Sequence, residues 1–219
     1  TTEAYIRDQR FKVWGMSYKW FVEDKIRYLE GSALTTFLNA IDWSTTAVMA
    51  QNAQFDAAIL AWRYGHHPAF IFDTLSMGRA LFGIEVGNSL ATMASRFGLP
   101  PKGKAVHSTD GLTELTPEIA HELAEYCKHD TWLCEQVFMR MIEGYPTKEL
   151  RLIDMTIKMF TNAQLVLDKN MLVDAIYDER ERREALLKRL GVEEADLSSN
   201  TKFAEALLSL GVEIGRAHV

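Results

Sequence analysis

Thr46–Tyr64, TAVMAQNAQFDAAILAWRY, decides how this chain folds. Thr46–Ala50 is a short apolar run of the kind that forms a strand buried on both faces of a parallel sheet. Gln51-Asn52 breaks the run. Ala53–Tyr64 then has helical spacing, with Asn52 as a candidate N-cap. A strand running straight into a helix is half of a parallel crossover unit, which indicates an α/β domain. Asp56 falls in the first turn or so of that helix, at the carboxyl end of the strand. Sites form at that edge in open α/β sheets. Two readings of Gln51–Asp56 stand side by side. Asn52 and Asp56 could simply cap the helix and complement its dipole, or Asp56 could serve a site.

Working outward, Phe11–Lys19 (FKVWGMSYK) alternates and is rich in bulky and β-branched types, so it predicts a strand, and Trp20–Tyr28 a weaker second one. Ser32–Ile41 predicts a helix capped by Ser32, Phe70–Phe72 a strand, and Ser76–Leu81 and Ser89–Phe97 short helices, with Gly98 as a stop. A loop over residues 100–116 precedes a long helix opened by Thr116-Pro117 and closed by Gly144. Beyond Pro146 the patterns are helical only: Thr147–Phe160, Asn170–Leu190 and Asn200–Leu210.

The long helix carries the second chemical signal. Ile119, Leu123, Tyr126, Asp130, Leu133, Val137 and Met141 are three or four residues apart and share one face. That face should be buried, yet a carboxylate stands at its middle. A buried ionised carboxylate is costly unless it is paired or binds a metal. Tyr126 lies one turn before it. The pair therefore reads either as a polar interruption of a packing face or as a metal site with a hydroxyl beside it.

Composition narrows the function classes. The chain has 219 residues, 47% of them hydrophobic, enough for a substantial core. No apolar run is long enough to span a bilayer, and a membrane partner is not expected. Its two cysteines, Cys127 and Cys134, suit neither a disulfide framework nor a zinc site. A reducing cytoplasm is the expected compartment. The net charge of −6 argues against broad capture of duplex phosphates but leaves room for a local cleft taking a single strand with the help of metal ions. Gly98–Ala105 falls short of a P-loop, because Ala105 stands where Ser or Thr would bind Mg²⁺.

Asn52-x-x-Phe55-Asp56, followed 74 residues later (130 − 56) by Tyr126-x-x-x-Asp130, resembles the second and third motifs of DEDD-type 3′→5′ exonucleases. The tyrosine places the resemblance in the DEDDy branch. Thr2–Asp8, Phe72-Asp-Thr74, Leu99-Pro-Pro-Lys-Gly103, Glu149–Asp154 and Ser198–Phe203 are similar to the proofreading domain of phage and bacterial family A DNA polymerases.

The resemblance implies an RNase H-like α/β exonuclease fold, with a mixed sheet flanked by helices and a helical segment after it. It implies three segments: an exonuclease domain over 1–145, the helical start of a polymerase region over 146–212, and a non-native tail over 213–219. It also implies two divalent ions, Mg²⁺ or Mn²⁺, with Asp56 and Asp130 as ligands and Tyr126 orienting the attacking water. Asn52 would organise the turn. Lys102 and Lys104 could touch substrate phosphates, but a solvated loop is the default reading of that segment. The partners would be the 3′ end of single-stranded DNA and primer–template DNA, with the full-length protein a monomer.

The family's Asp-x-Glu does not occur in these 219 residues. The expectation is therefore a fragment cut at both ends, with little or no exonuclease activity of its own. A free-standing DEDDy exoribonuclease and an inactive RNase H-like binding module remain as alternatives.

Overall fold

The computed structural model describes residues 1–103 and 112–212. Contacts divide the chain into two compact units, Thr1–Gln164 and a second that begins at Leu165. The first contains α1 (Thr2–Arg7), β1 (Met16–Lys19), β2 (Ile26–Leu29), α2 (Gly31–Ala40), β3 (Ala47–Ala50), α3 (Ala53–Tyr64), β4 (Phe70–Asp73), α4 (Thr74–Phe82), α5 (Leu90–Arg96), α6 (Pro117–Ile142) and α7 (Thr147–Thr161). It is an α/β unit in which small sheets are flanked by helices.

The parallel crossover read from Thr46–Tyr64 is present. β3 pairs parallel with β4, Ala47 opposite Phe70 and Ala50 opposite Asp73, and α3 makes the connection. β1 and β2 form a separate antiparallel hairpin, so among the described residues the four strands make two pairs rather than one continuous mixed sheet. The first strand is shorter than Phe11–Lys19 because β2 offers only four partners, Ile26 to Leu29. At Gly15 the chain passes hard against β2. A Cβ there would lie 2.2 Å from the Tyr28 hydroxyl, so only glycine fits.

The other edge of β4 is closed by side chains of α7. Asp154 Oδ1 accepts the Ile71 N–H at 2.9 Å, and Lys158 Nζ donates to the Ala69 carbonyl at 2.7 Å. Edge strands need such cover, because their unpaired backbone groups otherwise invite association.

Three apolar clusters hold the unit together. One joins Ala53 and Ala57 of α3 with Ile71 of β4 and Ile157 of α7. Leu133, Val137 and Met141 of α6 pack with Met77, Leu90 and Met93 of α4 and α5. Leu34 and Leu38 of α2 and Leu60 of α3 pack with Met16, Leu29 and Val48 from both strand pairs. The stripe on α6 is consequently graded. Its carboxyl half is buried under α4 and α5, while Ile119, Leu123, Tyr126 and Asp130 are only half-buried. The hairpin meets α6 through a Lys19–Glu135 ion pair and a Thr131–Ser17 hydroxyl bond of 2.8 Å.

Three features depart from the sequence reading. Residues 2–7 form α1, whose Ile6 is fully buried. Glu30, not Ser32, occupies the N-cap of α2. α7 belongs to the first unit: Leu150, Ile157 and Thr161 are its buried face, and it packs on α3 and β4. The compact unit thus runs to Gln164, past the boundary at 145 drawn from the change in sequence character.

The second unit, taken by itself, holds α8 (Lys169–Leu190), α9 (Glu194–Leu197) and α10 (Asn200–Ser209), all helical as the patterns predict. Gly191 ends α8 with φ of 65°, a left-handed conformation that glycine adopts without strain. Residues 213–219, read as a non-native tail, lie outside the described residues.

Candidate active site

β3 and β4 end side by side at Ala50 and Asp73, and α3 and α4 start from there. Asp73 binds the two helix starts together. Its Oδ1 accepts the N–H groups of Ala53 (3.0 Å) and Leu75 (3.1 Å), and its Oδ2 accepts the N–H (3.2 Å) and hydroxyl (2.6 Å) of Ser76. The residue is 3% exposed, so this buried carboxylate is satisfied by four donors. Asn52 does not cap α3 with its side chain. It sits in the left-handed region at φ 62°, turning the chain from β3 into α3, a conformation asparagine tolerates better than most residues.

Asp56 lies one turn into α3. Two features of it oppose each other. The protein packed around it pushes its carboxyl up to about 7, chiefly by desolvation and then by the charge of Asp73. Its surface, however, is exposed. Water that reaches the carboxylate stabilises its charged form, so the shift is upward but smaller than in a sealed pocket.

Tyr126 and Asp130 project from α6 one turn apart, as their spacing predicts, and Lys102 joins them. Lys102 Nζ is 3.0 Å from Asp130 Oδ2 and 5.4 Å from the centre of the Tyr126 ring. Burial pulls the Lys102 ammonium down, but its bonds to Tyr126 and Asp130 outweigh that and raise it overall. Burial raises the Tyr126 hydroxyl, and the Asp130 charge adds to the shift while Lys102 opposes it. Asp130 Oδ1 is buried and has no hydrogen-bond partner among the described residues.

Cys134, one turn beyond Asp130, links the parts. It is 6% exposed, and its thiol is pushed up to about 12, first by burial and then by the charges of Asp56, Asp73 and Asp130. The Thr74 hydroxyl partly offsets this, lying 3.7 Å from the sulfur. Asp56 and Asp130, distant in sequence, therefore bear on the same thiol.

Of the residues singled out from the sequence, Tyr126, Asp130 and Lys102 touch one another, and Asp56 shares with Asp130 only an effect on the Cys134 thiol. Asn52 instead lines a hollow of about 290 Å³ with Gln54, Arg79 and Glu149, which none of those four lines. Lys104 lies outside the described residues. Sequence reasoning missed Asp73 as the clamp on two helices, although an Asp at a strand end followed by Thr-Leu-Ser is itself an N-cap signal. It also missed His129, whose Nε2 bonds the Pro101 carbonyl at 3.0 Å and holds the Lys102 loop to α6.

Among the described residues, no three His, Cys, Asp or Glu side chains are arranged to hold a metal ion. Asp73 stands near, but both its oxygens are engaged by N–H and hydroxyl donors. Asp130 does fit part of such a site. Its Oδ1 is a hard oxygen donor, buried and unpartnered among the described residues, of the type that Mg²⁺ and Mn²⁺ favour.

An α/β unit with small sheets flanked by helices is consistent with an RNase H-like exonuclease domain. The family model for 3′-5′ exonucleases matches residues 19–143, from the end of β1 through α6, and the chain belongs to that family. No curated protein and no solved structure matches it. Its function is therefore that of a nuclease, with nucleic acid as the substrate class. No helix among the described residues is long and apolar enough to cross a membrane.

Proposed function

We propose that the chain is the 3′→5′ proofreading exonuclease part of a family A DNA polymerase of the DEDDy type, from a phage or a bacterium. It would cleave the terminal phosphodiester of single-stranded DNA at the 3′ end presented by a primer–template, in a protein that is monomeric and cytoplasmic. Residues 146–212 are read as the start of the polymerase region. The observation that carries the reading is the unpartnered, buried Oδ1 of Asp130 beside the Tyr126 hydroxyl, within a chain of the 3′-5′ exonuclease family.

Asp130 and Asp56 are the residues proposed to hold two divalent ions. Such ions supply an activated water and charge neutralisation at the leaving oxygen. The work of the chain itself is positional. Tyr126, anchored on α6, orients the attacking water by one hydrogen bond. The half-buried surroundings of Asp130 limit competition from bulk water, and Asp73 fixes the start of the helix that carries Asp56. The chain holds no Asp-x-Glu to complete the carboxylate set, so the 219 residues alone are expected to be a poor nuclease.

The test is nucleotide release from single-stranded DNA in Mg²⁺ by this chain joined behind a strand that carries Asp-x-Glu. Asp130→Ala should abolish release because a ligand is lost. Tyr126→Phe should slow it by less, on the order of 10²-fold, as for the loss of one orienting group. Equal and negligible effects would point to a binding module and contradict the reading.

A further inference from the structure

Lys102 is held far more firmly than an ordinary surface lysine. Its loop is tied down at both ends of Leu99–Pro101: the Leu99 N–H donates to the Ala94 carbonyl at 2.9 Å, and His129 Nε2 bonds the Pro101 carbonyl at 3.0 Å. The His129 ring is itself stacked on Trp132, with centroids 5.9 Å apart. Gly103 then runs against the Tyr126 ring so closely that a Cβ would come within 3.0 Å of it. Between these points the Lys102 ammonium reaches across the face of Tyr126 and meets Asp130 Oδ2 at 3.0 Å, with the two side chains only 31% and 22% exposed. The other oxygen of the same carboxylate, Oδ1, is buried without a partner among the described residues.

A monovalent cation thus already sits on the one half-buried carboxylate proposed to take a divalent ion. Two cations on one carboxylate repel, and the repulsion is stronger away from bulk water. We infer that Lys102 is a built-in competitor for the metal at Asp130, an ammonium that must withdraw from Oδ2 before a divalent ion can be fully ligated. The inference rests on the reading of Asp130 as a metal ligand. Its consequences are reciprocal: the pair holds Asp130 in place without metal, and whatever draws the ammonium away tightens metal binding. Lys102 is in this respect a positioning and affinity-setting residue, and its charge is the operative property.

Mn²⁺ binding to the 219-residue chain, followed by the paramagnetic resonance of the free ion, tests this without any nuclease assay. Lys102→Met keeps the stem that lies on Tyr126 and removes the charge, and Lys102→Gln removes it with a polar end retained. Both should bind Mn²⁺ about fivefold more tightly or better, the lower end of typical couplings between sites. Lys102→Arg should stay as weak as the parent. Adding Asp130→Asn to either neutral variant should erase the gain.

Equal or weaker binding by both neutral variants overturns the inference, as does a gain that survives Asp130→Asn. If the parent and the neutral variants bind through Asp130 with the same affinity, only the competition is wrong. If no variant binds Mn²⁺, the metal reading of Asp130 fails with it.

Discussion

Asp56 and Asp73 are both carboxylates at the amino ends of helices, yet their surroundings give them different work. Asp73 spends both oxygens on four donors and has nothing left for a ligand. Asp56 is an exposed residue in a crowded place, and its carboxyl is pushed up to about 7, by desolvation and by Asp73. A raised folded-state value has a definite sign. Below the ordinary value of 3.8 both folded and unfolded chains are protonated here, and the contribution of Asp56 to stability is fully present. As pH rises towards about 7 the unfolded chain loses its proton first, and that contribution is lost. Asp56→Asn should therefore flatten part of the pH dependence. Thermal unfolding at pH 4 and pH 7.5 should show the variant gaining on the parent at the higher pH, an effect softened by solvent at this exposed position. No change in the difference between the two proteins would remove Asp56 from the set of groups strained by their surroundings. The sequence made Asp56, Tyr126 and Asp130 legible because spacing alone puts Tyr126 and Asp130 on one helix face and Asp56 at a strand end. Lys102 was legible only as a charge in a loop. Its grip on Asp130 depends on His129, Gly103 and the Tyr126 ring meeting in space, which no local pattern encodes.

At the scale of elements, the site depends on α3 and α4 leaving the strand pair at fixed angles, and Asp73 sets both. Asp73→Ala would strand the Ala53, Leu75 and Ser76 N–H groups near the core, and should cost about 2–4 kcal/mol, combining a lost cap with lost bonds to a charged acceptor. Urea unfolding measures this, and Asp73→Asn should recover part of the loss. A cost below about 0.5 kcal/mol, the level of an ordinary surface change, would mean that the clamp is incidental. The helices were read well from sequence where caps and stops are chemical: Ser89 and Thr116 both accept backbone N–H groups at their helix starts. The parallel pair was read well for a similar reason, an apolar run ending at a helix signal. The reading went astray where tertiary contacts decide. Phe11–Lys19 has strand character throughout, but β2 supplies only four partners. α1 has a single buried residue, Ile6, too weak a stripe to announce a helix.

For the whole molecule, the sequence places a change of character at Pro146, and the fold places its division later. α7 carries the Asp154 and Lys158 groups that close the free edge of β4, so it is part of the first unit in both packing and hydrogen bonding. Leu165 and Val166, by contrast, are 94% and 97% exposed in a segment without regular structure. Limited proteolysis should cut within residues 163–168 and leave a stable fragment ending there, because exposed irregular backbone enters a protease most readily. First cuts inside α7 would contradict the assignment of that helix to the first unit.

The proposed function requires metal binding centred on Asp130, with Asp56 alongside. Paramagnetic broadening of backbone amide resonances by trace Mn²⁺ tests it most directly. The account predicts that the first signals lost are those of residues 126–133 on α6 and 53–57 on α3, and that Asp130→Asn preserves them. Broadening centred on the acidic surface of α8, or unchanged by Asp130→Asn, would contradict it.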